Sequence, residues 1–257
     1  MKKILLRVVI GALALIIIGI FIVGLFLGDI VKQGVQTVGP KIAGVDIKLN
    51  HVGFSLLSGS VNIKGLVVGN PEGYKTPEAI SVGTVSVSVK PGSLLSDKVV
   101  IPSIHVEAPE ITLEGSLHGN NLSKILDNVK AATGSTDKSG AATSGGEKPS
   151  GKKLEVDDFL ITGGKIHLSI TGMGGKSATV PLPEIHLTDL GKNSGGITAA
   201  DLTKRVLEAI TESATKAAAG ALTDIGKNAA GLTKEAGQSV SNATEKITKG
   251  IGNLFKK

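Results

Sequence analysis

Between Ile4 and Leu27 the chain carries 24 residues with one charge, Arg7. Such a run cannot lie on the surface of a water-soluble fold. As a helix it is about 36 Å long, enough to cross a hydrocarbon core of about 30 Å. A cleaved signal peptide would have an apolar region of about 7–15 residues ending in small residues. Here the stretch ends Gly24-Leu25-Phe26-Leu27, so it reads as an uncleaved single-pass anchor. Lys2, Lys3 and Arg7 precede it and Asp29 follows, which keeps the N-terminus cytoplasmic and puts the rest across the membrane. The mean hydropathy of +0.24 follows from this one segment. Residues 8–27 sum to roughly +63 on the usual scale, about the total for the whole chain.

With the anchor set aside, 25 basic residues face 22 acidic ones. A surplus of +3 does not argue for nucleic acid. Aromatic residues are 2% of the chain, too few for base-stacking platforms. The absence of cysteine excludes disulfide scaffolds, thiolate metal sites and cysteine nucleophiles.

Beyond residue 29 the apolar period changes twice. Val31, Val35, Val38 and Ile42 have helical spacing, with Gly39-Pro40 as a candidate break. From residue 44 to 115 the period is two. Val45, Ile47 and Leu49 alternate with polar residues, as do Val61 and Ile63, and Val85, Val87 and Val89. This is the signature of antiparallel strands with one apolar and one wet face. Asn70-Pro71-Glu72-Gly73 reads as a turn with Pro at its second position. Residues 120–132 read as a short helix capped by Asn120 or Asn121. Residues 133–153 are almost entirely Gly, Ser, Thr, Ala and charge, a flexible linker. Strands resume at Leu154. From Thr198, a candidate cap with Asp201 three residues on, the pattern is helical to the end. Leu202, Val206, Ile210 and Ala214 recur every fourth residue. The tail is either an amphipathic helix lying on a membrane or a marginal, partly ordered one.

The divisions are therefore 1–29 anchor, 30–132 first β region, 133–153 linker, 154–197 second β region and 198–257 C-terminal helix. The expected class is α+β, with a single transmembrane helix, a curled and mostly antiparallel sheet interrupted by the linker, and a long amphipathic helix. About ten strands would give a sheet roughly 48 Å across.

An internal similarity crosses the linker. Ile101-x-x-Ile104-x-Val106-x-x-Pro109-Glu110-Ile111-x-Leu113 matches Val156-x-x-Phe159-x-Ile161-x-x-Gly164-Lys165-Ile166-x-Leu168 at a constant offset of 55. The spacing suits two strands joined by a tight turn. It is either a duplicated unit or the ordinary likeness of two hairpins with aliphatic faces.

No H-E-x-x-H, G-x-S-x-G or P-loop spacing occurs. His105, His167 and His186 each follow an inward Ile and point to the wet face. If their strands were neighbours, the imidazoles would offer a zinc site, but plain alternation is the simpler explanation and is preferred. Gly172-Met173-Gly174-Gly175 lacks a strand–loop–helix setting and reads as a hairpin turn. Glu155, Asp157 and Asp158 read as a solvated edge. No catalysis, cofactor, metal or small-molecule substrate is expected.

Several motifs follow in order: Gly44-Val45-x-Ile47-x-Leu49, Phe54-Ser55-Leu56-Leu57-Ser58-Gly59-Ser60-Val61-x-Ile63, Gly69-Asn70-Pro71-Glu72-Gly73-Tyr74, and Ser93-Leu94-Leu95-Ser96 leading to Pro109-Glu110-Ile111. Their order and spacing resemble the AsmA-like family of the bacterial envelope. Leu182-Pro183-Glu184-Ile185 is similar to short members of the group. The resemblance implies an inner-membrane anchor, a periplasmic curled sheet and an apolar groove serving phospholipid handling or outer-membrane assembly. Membrane lipids, with envelope proteins, are then the expected partners. The candidate lipid-facing residues are Val61, Ile63, Val85, Val87, Val89, Ile104, Val106, Ile111, Leu113, Ile166 and Leu168. Alternation alone leaves a second reading open, in which helices cover this face and it is a closed core of a structural or interaction protein.

Overall fold

The computed structural model describes residues 27–55, 58–116, 119–134, 152–170 and 177–233. The expected membrane span, most of the linker and the last part of the tail lie outside them. Among the described residues no helix is long and apolar enough to cross a membrane.

Helix α1 covers residues 27–43. Gly39-Pro40 does not break it, because Pro40 falls in the last turn and the chain closes with Gly44 N–H donating to the Pro40 carbonyl at 2.9 Å. Val35 and Ile42 pack on the core, whereas Val31 and Val38 face outward. The strands follow: β1 (Ile47–Ser55), β2 (Ser60–Gly69), β3 (Glu78–Ser88), β4 (Lys98–Ile101), β5 (Ser103–Glu107), β6 (Glu110–Ser116) and β7 (Gly119–Asn120). Next come α2 (Asn121–Ala132), β8 (Lys153–Thr162), β9 (Lys165–Ile170), β10 (Ser177–Pro181), β11 (Ile185–Leu190) and α3 (Ala199–Thr233). A 3-10 turn, Pro91–Leu95, joins β3 to β4. All the strands belong to one sheet, which curls into a half-barrel.

The register reduces the strand segments to six long strands. β3 pairs with β5 from Thr84↔Glu107 to Ser88↔Ser103, and with β6 at Ile80↔Ile111 and Ser81↔Glu110. One antiparallel register runs through both, so β5 and β6 are consecutive parts of one strand. The tight turn expected between Val106 and Ile111 does not exist. The neighbouring strand, β8 followed by β9, lies parallel to β4, β5 and β6. Its pairs run from Lys98↔Lys153 through Ile104↔Phe159 to Gly115↔Ile170. Every pair differs by 55, the offset of the sequence similarity. The two similar stretches are therefore laid side by side in register. β10 and β11 likewise form one interrupted strand antiparallel to β9 and β8. Six strands at about 4.8 Å make the sheet about 24 Å across, half the expected width.

What sequence reading took for a turn is a phase slip. In β3 the large apolar residues buried or packed on the core are Ile80 and Val82, then Val85 and Val87; Ala79, also buried, sits at the register shift opposite Val68 and Gly69. In β1 they are Ile47 and Leu49, then Val52 and Phe54; in β2, Val61 and Ile63, then Leu66 and Val68. Each strand moves its inward face by an odd number of residues at the same lateral row. The registers bring Asn50, Gly65, Gly83, Ala108, Gly163 and Pro183 opposite one another along that row. Gly65, Ala108 and Gly163 have φ of +64°, +46° and +67°. Left-handed residues rotate the following side chain to the other parity, and glycine does so without a Cβ penalty. Ala108 makes the same rotation with a Cβ. Its N–H donates to the Thr162 carbonyl at 2.8 Å, across the row.

Helices α2 and α3 pack against each other and over β6, β9, β10 and β11. Asn120 caps α2 by accepting from Ser123 N–H at 2.8 Å. Thr198 caps α3 reciprocally with Asp201, at 3.0 and 2.7 Å. Leu207, Ile210, Ala214 and Ala218 form the buried stripe of α3, with Leu202 and Val206 half-buried. The residue that pins the opposite side of β6 is Glu114, 1% exposed. Its carboxylate accepts from Lys75 N–H at 2.8 Å and from Thr76 N–H and hydroxyl at 2.8 and 2.6 Å. Asn121 bonds Glu114 N–H, Thr112 and Asn70, which ties α2 to the same loop. The turn in that loop is Pro71–Tyr74, one residue later than expected, with Gly73 at φ +93°.

Three substitutions test this construction. Ile111→Ala should lower the unfolding free energy by about 2–5 kcal/mol in a urea titration, because the side chain is fully covered. Glu114→Ala leaves several buried donors unmet and should cost at least about 3 kcal/mol, with Glu114→Gln milder. A Cβ on Gly65 would lie 2.3 Å from Asn50 Nδ2, whereas one on Gly83, in the same row, meets nothing within 4 Å. Gly65→Ala should therefore be about 1–3 kcal/mol more destabilising than Gly83→Ala.

Candidate functional site

The registers order the apolar face into rows that cross all six strands. One row is Val52, Ile63, Val85, Val106, Ile161 and Ile185. The next is Phe54, Val61, Val87, Ile104, Phe159 and Leu187. Beyond the phase-slip row lie Ile80, Ile111, Ile166 and Val180. All eleven candidate residues belong to this one face. Each is buried or packed against the core cluster.

The face has two unequal parts. Ile111, Leu113, Ile166 and Leu168 are 0–2% exposed on β6 and β9, the strands that α2 and α3 contact. Val61, Val85, Val89 and Val106 are buried on the other side of the phase-slip row. Ile63, Val87 and Ile104 are half-buried there, together with Phe54 and Leu187. These five large aliphatic and aromatic groups still meet solvent. Phe54, Phe159 and Leu187 complete the rows and were missed in the sequence. Only cross-strand register, which alternation within a strand does not give, places them beside Val87 and Ile104.

The opposite face is polar, and its titratable groups pair locally. His105 meets the Thr162 hydroxyl at 3.0 Å, His167 meets the Thr179 hydroxyl at 3.0 Å, and His186 lies 2.5 Å from Asp158. Strand neighbours thus supply each imidazole with its own partner. Among the described residues no three His or acidic groups converge as metal ligands. The acids Glu155 and Asp157 lie within β8 and are also engaged: Glu155 with Lys98, and Asp157 at 3.8 Å from Lys192. Asp189 bonds Lys192 at 2.8 Å, and that bond, with the charges of Asp189 and Asp157, holds the ammonium above its ordinary pKa.

A cleft of about 900 Å³ separates α2 from α3, lined by Asn120, Ser123, Lys130, Glu208, Thr211 and Lys216 among others. Lys130 and Glu208 bridge it at 3.3 Å. Asn120 Nδ2 and Thr211 Oγ1 are buried there without a hydrogen-bond partner. A buried donor left without a partner costs about 1–3 kcal/mol.

No curated protein matches the chain. The pattern of the AsmA family matches residues 1–180, from the apolar N-terminal segment through β9 and into β10. That stretch is more than half of the sequence and holds most of the apolar rows. The chain belongs to the AsmA family, whose members are associated with the bacterial envelope.

Proposed function

We propose that this chain is an inner-membrane-anchored periplasmic protein that works without catalysis, by contacting lipid acyl chains on the open part of its apolar face. The observation that carries this reading is the half-buried group Phe54, Ile63, Val87, Ile104 and Leu187. Aliphatic groups left in contact with water on a contiguous face mark a surface that is covered in use. The apolar run at residues 4–27, with its basic residues on the N-terminal side, supports this placement and direction. Membership of an envelope family supports phospholipid handling or envelope assembly as the process. A sheet about 24 Å across is shorter than one bilayer with headgroups, so the handling is local and does not bridge two membranes.

The second reading is an envelope scaffold whose sheet face is a closed core and binds no lipid. It is favoured by the complete burial of Ile111, Leu113, Ile166 and Leu168. One experiment separates the two. The full chain is purified in mild detergent and its bound phospholipid measured by mass spectrometry, beside a control membrane protein. Lipid above the control is expected. Val87→Glu should abolish that excess while thermal unfolding stays cooperative. Lipid no higher than the control, or a Val87→Glu chain that fails to fold, favours the scaffold.

A further inference from the structure

Helix α1 runs antiparallel to β1 along its free edge. Lys32 Nζ donates to the Asn50 carbonyl at 2.7 Å and Gln36 Nε2 to the Leu49 carbonyl at 3.3 Å. Gly28 abuts the Val52 carbonyl, and Gly39 lies against Ile47. Residue 27, where the apolar segment enters the fold, is therefore at the Ser55 end of β1. The pairs Ser55↔Ser60, Ser60↔Ser88 and Ser88↔Ser103 carry that end across the sheet to the Pro91–Leu95 turn.

This turn holds a leucine out in water. Leu95 is 93% exposed, and Ile30, at the same end on α1, is 66% exposed. The exposure does not come from a loose loop. Ser93 is buried; its hydroxyl donates to the Lys90 carbonyl at 2.6 Å and accepts from Val100 N–H at 2.9 Å. Its carbonyl accepts from Ser96 N–H and hydroxyl, each at 3.0 Å. Lys152 bonds the Leu94 carbonyl, and Leu94 packs on the core. A turn with this many bonds loses little further entropy when Leu95 is buried by something else. Around it Lys90, Lys152 and Lys153 are exposed, with Asp97 and Asp29 as the nearby acids. Lys98 and Lys192 are already engaged by Glu155, Asp157 and Asp189.

We propose that this end of the sheet docks on the membrane surface, with Leu95 inserted among the lipids of the leaflet from which α1 emerges and Lys90, Lys152 and Lys153 against anionic headgroups. The proposal rests on the reading of residues 4–27 as a membrane span. An apolar tip ringed by lysines matches the chemistry of that interface, greasy below and negatively charged above. It also orients the fold. The row Phe54, Val61, Val87 and Ile104 lies one residue in from the docked end, so the open part of the apolar face is next to the bilayer.

The chain has no cysteine, so single labels are clean. The full chain carrying Leu95→Cys with an environment-sensitive nitrobenzoxadiazole probe is reconstituted in phosphatidylethanolamine–phosphatidylglycerol vesicles. Glu72→Cys, exposed in the turn at the other end of β2, is the reference. The Leu95 probe should emit further to the blue and be quenched several-fold more by spin-labelled lipid than the Glu72 probe. Lys90→Glu with Lys153→Glu should reduce that difference. Equal emission and quenching at the two sites, in protein retained by the vesicles after alkaline carbonate, overturns the docking while leaving the anchor intact. Loss of protein from the vesicles in carbonate overturns the anchor and the docking together.

Discussion

One backbone constraint governs the sheet: every strand must change the parity of its inward side chains at the same row. If a single strand continued in phase through that row, its remaining apolar residues would turn to the polar face. In β3 this would send Val85 and Val87 to the side that carries Ser86 and Thr84. In three of the strands the slip falls on a left-handed residue: Gly65, Gly163, and Ala108 held against the Thr162 carbonyl. Because the slip is common to all strands, the pairings keep one register through that row, and the β2–β3 pair shifts only at Val68/Gly69. The apolar face stays continuous although no single strand alternates continuously.

This explains which parts of the fold were legible. Alternation within each short stretch identified the correct inward residues, and the 55-residue offset was the pairing register itself. The error was to read a break in alternation as a reversal of direction. Ile101-Pro102-Ser103-Ile104 and Val106-Glu107-Ala108-Pro109 look like strand ends because each breaks the alternation beside a proline. Here they mark phase slips in a strand that runs on. Glycine at 65 and 163 signals a left-handed residue, but Ala108 carries no such mark. Glu114 was invisible as an anchor because its partners, Lys75 and Thr76, are 38–39 residues away. The eleven candidates lie on one face as alternation required. Which of them are covered depends on where α2 and α3 cross the sheet, and amphipathic patterning does not encode that.

The cover is uneven, and the functional proposal depends on this. α2 and α3 seal β6 and β9, where tight burial makes a rigid wall. β1, β2, β3 and β5 keep half-buried groups at the end where α1 begins. The helices themselves meet across a cleft with two unmatched polar atoms. The apolar face is thus closed where the helices cross it and only half covered on the strands near α1.

The parallel seam between residues 98–115 and 153–170 has a consequence for how the molecule forms. Its two sides are separated by α2 and the low-complexity segment that follows, so closing it requires a long crossover rather than a hairpin. The strands from β1 to β6 need only local connections and can assemble first during synthesis. Until the second stretch arrives, Ile104, Val106, Ile111 and Leu113 lie on an unpaired sheet edge. An arriving strand of nearly the same apolar pattern fills it, and so would the equivalent strand of another copy.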